Sequence, residues 1–184
     1  MAVRPIRIYG DPILREKARP VEETTAALRR LAEDMIDTMI EAEGIGLAAP
    51  QVGETVRMYV VNLGAIGPGL FRDRGGPSLE GDPDHLVLVN PRVVKREGAQ
   101  TADEGCLSIP ELYEKVTRPE VVRVEAADLD GRPLEIEGSG LLARVLVHEY
   151  DHLEGVLFID HIGKLRQQFI RGKLRKLKES GQAV

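Results

Sequence analysis

Two histidines four residues apart, with a glutamate beside the first, stand at His148-Glu149-Tyr150-Asp151-His152. On a helix, residues at that spacing share a face with Cβ atoms about 5–6 Å apart, so both imidazoles can reach one ion at about 2.0–2.1 Å. Glu149 is rotated off that line and can reach a water on the ion without displacing a histidine. The same spacing also arises on a solvated helix face, or in a helix-end salt-bridge cluster with Asp151 paired to an arginine. The preceding Gly140-Leu141-Leu142-Ala143-Arg144-Val145-Leu146-Val147 is apolar nearly all round, which places the helix inside the protein. Ionisable groups are rarely left there unless paired or ligating, and this favours the metal.

A tetrahedral catalytic ion takes three protein ligands and keeps the fourth position for water. His85 and His161 sit at the edge of a polar loop and at the start of a basic tail, so both are expected to face solvent. Cys106, the single cysteine, is the better candidate, although a lone cysteine is more often a small buried hydrophobe. Glu104-Gly105-Cys106-Leu107-Ser108-Ile109-Pro110 sets it after a flexible residue and before a kink, where a backbone N–H can also face a ligand.

The elements that must position these groups read as follows. An extended lead-in over Ile6-Arg7-Ile8-Tyr9-Gly10-Asp11-Pro12 precedes an amphipathic helix over 25–43, with Leu28, Leu31, Ala32, Met35, Ile36, Met39 and Ile40 on one face. Thr24 or Thr25 can cap its start and Gly44 can end it. Gly44-Ile45-Gly46-Leu47-Ala48-Ala49-Pro50-Gln51-Val52-Gly53 leaves room for another backbone, as a binding edge would; on composition alone a turn between helix and strand is the commoner reading. Buried strands are expected at 56–61 and at Leu86-Val87-Leu88-Val89, the latter closed by Asn90-Pro91. Val121 to Ala127 should pair with Leu134-Glu135-Ile136-Glu137 across Asp130-Gly131. Residues 64–84, rich in glycine, proline and charge, suggest a long mobile surface loop. The metal-motif helix is capped by Ser139 and ended by Gly155, and a last basic helix spans 163–178.

At 184 residues the chain reads as one domain, 1–184, large enough to bury a core without a structural metal. A composition of 42% hydrophobic and 30% charged residues is that of an ordinary globular protein, and the low aromatic content, 4%, argues against a base-stacking nucleic-acid surface. The net charge of −5 hides a concentration of cations in the final segment, 163–184. Neither a secretory signal nor an apolar run of membrane-spanning length is legible, and one cysteine forbids an internal disulfide. The expected location is the cytosol.

Three segments, taken in order, resemble the peptide deformylases: Gly44-Ile45-Gly46-Leu47-Ala48-Ala49-Pro50-Gln51, Glu104-Gly105-Cys106-Leu107-Ser108 and His148-Glu149-Tyr150-Asp151-His152. The similarity runs from Ile8-Tyr9-Gly10-Asp11-Pro12 to Gly155. It implies an α+β fold with antiparallel sheets around a central metal-binding helix, and Cys106, His148 and His152 as ligands. The ion implied is Fe2+, with Zn2+, Ni2+ or Co2+ able to take its place; thiolate and imidazole suit several of these.

The resemblance also implies removal of the formyl group from N-formylmethionyl peptides, with release of formate. Glu149 would act as the proton carrier, while the Leu107 N–H and the Gln51 side-chain amide would face the oxyanion. The peptide would lie extended near Ile45, Gly46 and Gly105. Its methionine would occupy an apolar pocket of Ile45, Leu141, Val145 and His148 with the aliphatic stem of Arg144. A tight cavity beside the metal would exclude acetyl by its methyl group. Val147, Tyr113 and the 64–84 segment depart from the pattern of many relatives, which bears on peptide preference rather than on chemistry.

Glu104, Arg118 and Asp151 are candidates to orient a ligand histidine, or else form a purely structural ion-pair cluster. The basic tail reads either as a solvated helix face or as a contact with ribosomal RNA. Two other functions share the motif: a zinc endopeptidase, which would ask for a third histidine or glutamate ligand, and a non-catalytic metal- or peptide-binding protein, which would not need Glu149 and Gln51.

Overall fold

The structure is a computed structural model that describes residues 2–67, 71–73 and 84–180. After the extended lead-in and a 3-10 turn at Pro12–Arg15, helix α1 spans Ala26–Glu41. Thr25 caps it, its side chain accepting from the Leu28 N–H, as that residue type at that position predicts. The helix is left through Glu43, at φ 53°, and not through Gly44. Gly44 is instead close-packed, since a Cβ there would lie 2.9 Å from Leu107 Cδ1.

Strands β1 (Gly46–Ala48), β2 (Met58–Asn62), β3 (Phe71–Asp73), β4 (His85–Glu97), β7 (Val121–Ala127) and β8 (Pro133–Ser139) form one antiparallel sheet in the order β1-β2-β4-β7-β8-β3. Strands β5 (Gln100–Cys106) and β6 (Ile109–Arg118) form a separate hairpin. A four-residue helix, α2, occupies Leu63–Ile66, α3 spans Gly140–Leu153, and α4 spans Lys164–Ser180. The continuous apolar run of β2 follows from burial on both faces. Tyr59 and Val61 pack toward Leu142, Leu146 and Leu153 of α3, while Met58 and Val60 pack toward Leu31, Met35 and Met39 of α1. A third cluster joins Ile109, Leu112 and Val116 of β6 to Phe158, Ile162 and Ile170, which lead into and lie on α4.

Several expectations are corrected. Asn90-Pro91 does not close a strand, because β4 continues to Glu97 with a register shift between Val89 and Arg92. Asn90 takes φ 52°, and its side chain exchanges two 2.8 Å hydrogen bonds with the backbone of Val21; Pro91, which has no N–H to donate, sits at the resulting bulge. Residues 64–84 are not one structureless loop: α2 and β3 lie within them, β3 pairing with β8. Mobility of 68–70 and 74–83 lies outside the described residues. Ser139 precedes α3 without a side-chain cap hydrogen bond. Strands β5 and β6 were not foreseen, because buried positions on them carry Glu104, Glu114 and Arg118, which hides the apolar alternation.

Candidate metal centre

Helix α3 lies in the core, with Leu142, Ala143 and Leu146 fully buried, so the polar residues that follow are carried inward with it. His148 and His152, 8% and 1% exposed, stand one turn apart with ring centroids 5.0 Å from each other. The third group comes from a different element. β5 ends at Cys106, a two-residue turn at Leu107 and Ser108 follows, and Ile109 opens β6 opposite Cys106. One donor atom each from Cys106, His148 and His152 lies within 4.8 Å of the others, and Cys106 Sγ is 3.2 Å from His152 Nε2. Donors held tetrahedrally at about 2.1 and 2.3 Å from one ion would be roughly 3.6 Å apart, so the cluster could hold one metal ion.

The imidazole of His148 is fixed from behind. Its Nδ1 is 2.7 Å from Glu104 Oε1, which leaves Nε2 for the cluster. Glu104 is itself saturated: Oε1 accepts from Arg118 Nη2 at 2.6 Å, and Oε2 accepts from Arg118 Nε at 3.1 Å and from Arg144 Nη1 at 2.7 Å. Burial alone would raise the Glu104 pKa, but the bonds and charges of His148 and Arg118 outweigh it and hold the carboxyl well below the usual range. Arg118 also reaches Asp151 Oδ2 at 2.6 Å, and the same oxygen lies 2.7 Å from His161 Nε2. His161, expected to face solvent, is partly exposed but tied to this network.

Glu149 is 4% exposed and turns away from the histidine line toward β1. A Cβ on Gly46 would overlap its carboxylate, so the glycine makes room for Glu149 itself. Burial pushes its pKa up to about 7, with Glu104 and Asp151 adding to the rise and His148 and Arg118 opposing it. Glu149 Oε2 and His152 Nδ1 are buried with no hydrogen-bond partner among the described residues. Gln51 is 1% exposed. Its Oε1 accepts from the Ala48 N–H at 2.8 Å, which turns Nε2 toward Ser108 Oγ, 3.2 Å away, and Cys106 Sγ, 3.5 Å away.

Around these groups, Ile45 packs half-buried against the core, Val145 is buried and Leu141 is 39% exposed. Gly105 lies under the exposed ring of Tyr113, where a Cβ would meet Cε1 at 2.6 Å. Arg144 is 5% exposed, and its guanidinium points to Glu104, Val116 O and Gln100 O rather than to an apolar cavity. Sequence reasoning gave no role to Ser108, whose hydroxyl holds Gln51 and whose carbonyl accepts from the Tyr9 N–H. Nor did it single out Tyr59, a fully buried phenol that feels the charge of Glu149. Neither carried a signal, since a serine in a turn and a tyrosine in an apolar strand are ordinary residues.

A cluster of one half-buried cysteine and two buried histidines, with a glutamate of raised pKa beside it, is what a metal-site hydrolase would need. The family model for polypeptide deformylase matches residues 3–168. A peptide deformylase of Alkalilimnicola ehrlichii is 47% identical over 181 residues, 98% of this chain and 94% of the relative. One of Acidobacterium capsulatum is 44% identical over 183 residues, 99% of each. Among solved structures, the peptide deformylase of Legionella pneumophila superposes with a TM-score of 0.82 at 40% identity, covering 97% of this chain and 96% of that one. That of Thermus thermophilus gives 0.82 at 43%, covering 97% and 99%. The chain belongs to the polypeptide deformylase family and is an enzyme of that family, which decides against the endopeptidase and the non-catalytic binder.

Proposed function

We propose that Cys106, His148 and His152 hold one divalent ion and that Glu149 carries the protons as the formyl group of an N-formylmethionyl peptide is hydrolysed. The observation that carries this reading is the convergence of three donor atoms from α3 and the β5–β6 turn beside the Glu149 carboxylate. An ion held there supplies Lewis acidity toward water and the scissile carbonyl, and Fe2+ is the ion the family resemblance favours over Zn2+, Ni2+ or Co2+. Glu149, with its pKa near 7, accepts the proton of the attacking water and passes it to the leaving amine. Gln51 Nε2, fixed by Ala48 and Ser108, and the Leu107 N–H in the turn donate to the developing oxyanion. Formate and a free amino terminus result.

The peptide adds along β1, which is an edge strand of the six-stranded sheet and offers backbone groups on its open side. Ile45, Val145 and Leu141, with the ring of His148, line the methionine pocket; Arg144 adds only its stem, because its guanidinium is engaged elsewhere. Exposed Leu165 and Phe169 among the cations of α4 support a ribosome contact. Ile170 on the same helix is buried, so the test is charge reversal of Lys173, Arg175 and Lys176 rather than deletion, with ribosome co-sedimentation as readout. Unchanged binding sinks that contact. The described residues contain no helix long and apolar enough to cross a membrane.

Formate release from formyl-Met-Ala-Ser by anaerobically purified protein tests the main reading. Wild type should release formate and Glu149→Ala should not, though it keeps its metal; no formate from the metal-loaded wild type overturns the reading.

A further inference from the structure

The proposed ligand set is split between two elements, with both histidines on α3 and the cysteine at the end of β5. Something must fix the helix against the hairpin to within a fraction of an ångström for one ion to be shared. Arg144 sits one turn before His148 on the same face of α3 and makes three contacts, all with the β5–β6 hairpin. Its Nη1 donates to Glu104 Oε2 at 2.7 Å and to Val116 O at 3.1 Å, and its Nη2 donates to Gln100 O at 3.3 Å. Gln100 is the first residue of β5, Val116 lies on β6, and Glu104 is the residue whose other oxygen holds His148 Nδ1.

We infer that Arg144 is a positioning residue for the metal centre, locking the Glu104 carboxylate onto His148 and registering the histidine helix against the strand that carries Cys106. The inference rests on the metal-centre reading above. The guanidinium takes no part in the methionine pocket, to which Arg144 gives only its stem, since all the donor capacity seen in use points to the hairpin. Arg118 cannot substitute for it. Arg118 lies on β6, so its bonds to Glu104 are internal to the hairpin, and its link to α3 runs through Asp151, beyond the histidine on the opposite side from Arg144. The two arginines thus brace His148 from the turn before and the turn after. A lysine could supply the charge at position 144, but not two nitrogens spread to reach a carboxylate and two carbonyls.

Zinc affinity of the metal-stripped full chain, measured by competition with a chelator, tests the assignment in wild type, R144K, R144M, E104Q and the R144M/E104Q double variant. Replacing a group that holds a ligand from behind weakens metal binding by about 10–100-fold, which is the loss expected for R144M, with R144K intermediate. Because Arg144 acts through Glu104, the double variant should bind little worse than E104Q alone. If R144M does not fold, as judged by thermal unfolding, R144K carries the comparison. Wild-type zinc affinity in folded R144M or R144K overturns the inference, as does full additivity with E104Q or a raised KM for formyl-Met-Ala-Ser without loss of affinity. No zinc binding by wild type overturns the metal-centre reading itself.

Discussion

Gly46 shows how narrowly the proposed chemistry is set at the scale of single residues. The sequence suggested that it leaves room for a peptide backbone, yet the nearest atoms to a Cβ at that position belong to Glu149. Gly46→Ala must therefore shift the carboxylate proposed to carry the proton. Since misplacing a catalytic group by about 1 Å costs about 100-fold, kcat should fall by about that factor while metal content stays at one per chain. Steady-state kinetics beside metal analysis check this, and an unimpaired kcat contradicts the account. Gln51 is the second such residue. Its amide is oriented by Ala48 and Ser108, so Gln51→Leu should lower kcat by about 100- to 1000-fold with a smaller change in KM, as loss of an oxyanion donor does.

Elements matter because the site is assembled from α3, the β5–β6 hairpin and the β1 edge. A tetrad of buried Glu104, Arg118 and Arg144 with half-buried Asp151 joins the first two. Removing one member of a buried ion pair costs about 3–5 kcal/mol where the other charge is left alone; Glu104 keeps Arg144, so Arg118→Met should destabilise the fold by about 3 kcal/mol, the lower end, read from urea unfolding. A loss below about 1 kcal/mol would show that Arg144 alone suffices for Glu104. The same tetrad explains what was legible in the sequence and what was not. Helix α1 and strands β7 and β8 follow from apolar periodicity, β2 and the start of α3 from unbroken apolar runs, and the pentad on α3 is visible from its spacing. The hairpin was hidden because its buried face carries Glu104, Glu114 and Arg118, whose burial depends on partners distant in the chain. The guanidinium of Arg144 was illegible for a related reason: on an apolar helix only its stem has a readable place until Val116 O and Gln100 O are brought beside its nitrogens.

Across the whole molecule, ion pairs tie the lead-in to distant segments: Arg4 to Asp34, Arg15 to Asp160 and Lys17 to Glu154. For Asp160 and Glu154, burial would raise the pKa, but the hydrogen bonds from Arg15 and the Leu157 N–H, and from Lys17 and Arg57, prevail and lower it. For Asp34, the hydrogen bond from the Ala2 N–H is the main cause of lowering. A carboxyl with a lowered folded-state pKa contributes stability above its unfolded value, and that contribution is lost as pH falls through the folded value. The contribution of these three carboxyls should hold from neutrality to about pH 5 and decline below about pH 4. Asp160→Asn should be less stable than wild type at pH 7 and show a shallower decline between pH 5 and 3, measured as the urea midpoint. Parallel curves for the two proteins would mean that Asp160 titrates alike in both states.

The central claim, that Cys106 joins two histidines of α3 on one ion, is tested most directly by the absorption spectrum of the cobalt-loaded protein. One Co2+ per chain with a thiolate-to-cobalt charge-transfer band is expected for wild type, with that band lost in Cys106→Ala. A wild-type spectrum without the band, or the same spectrum in both proteins, would contradict it.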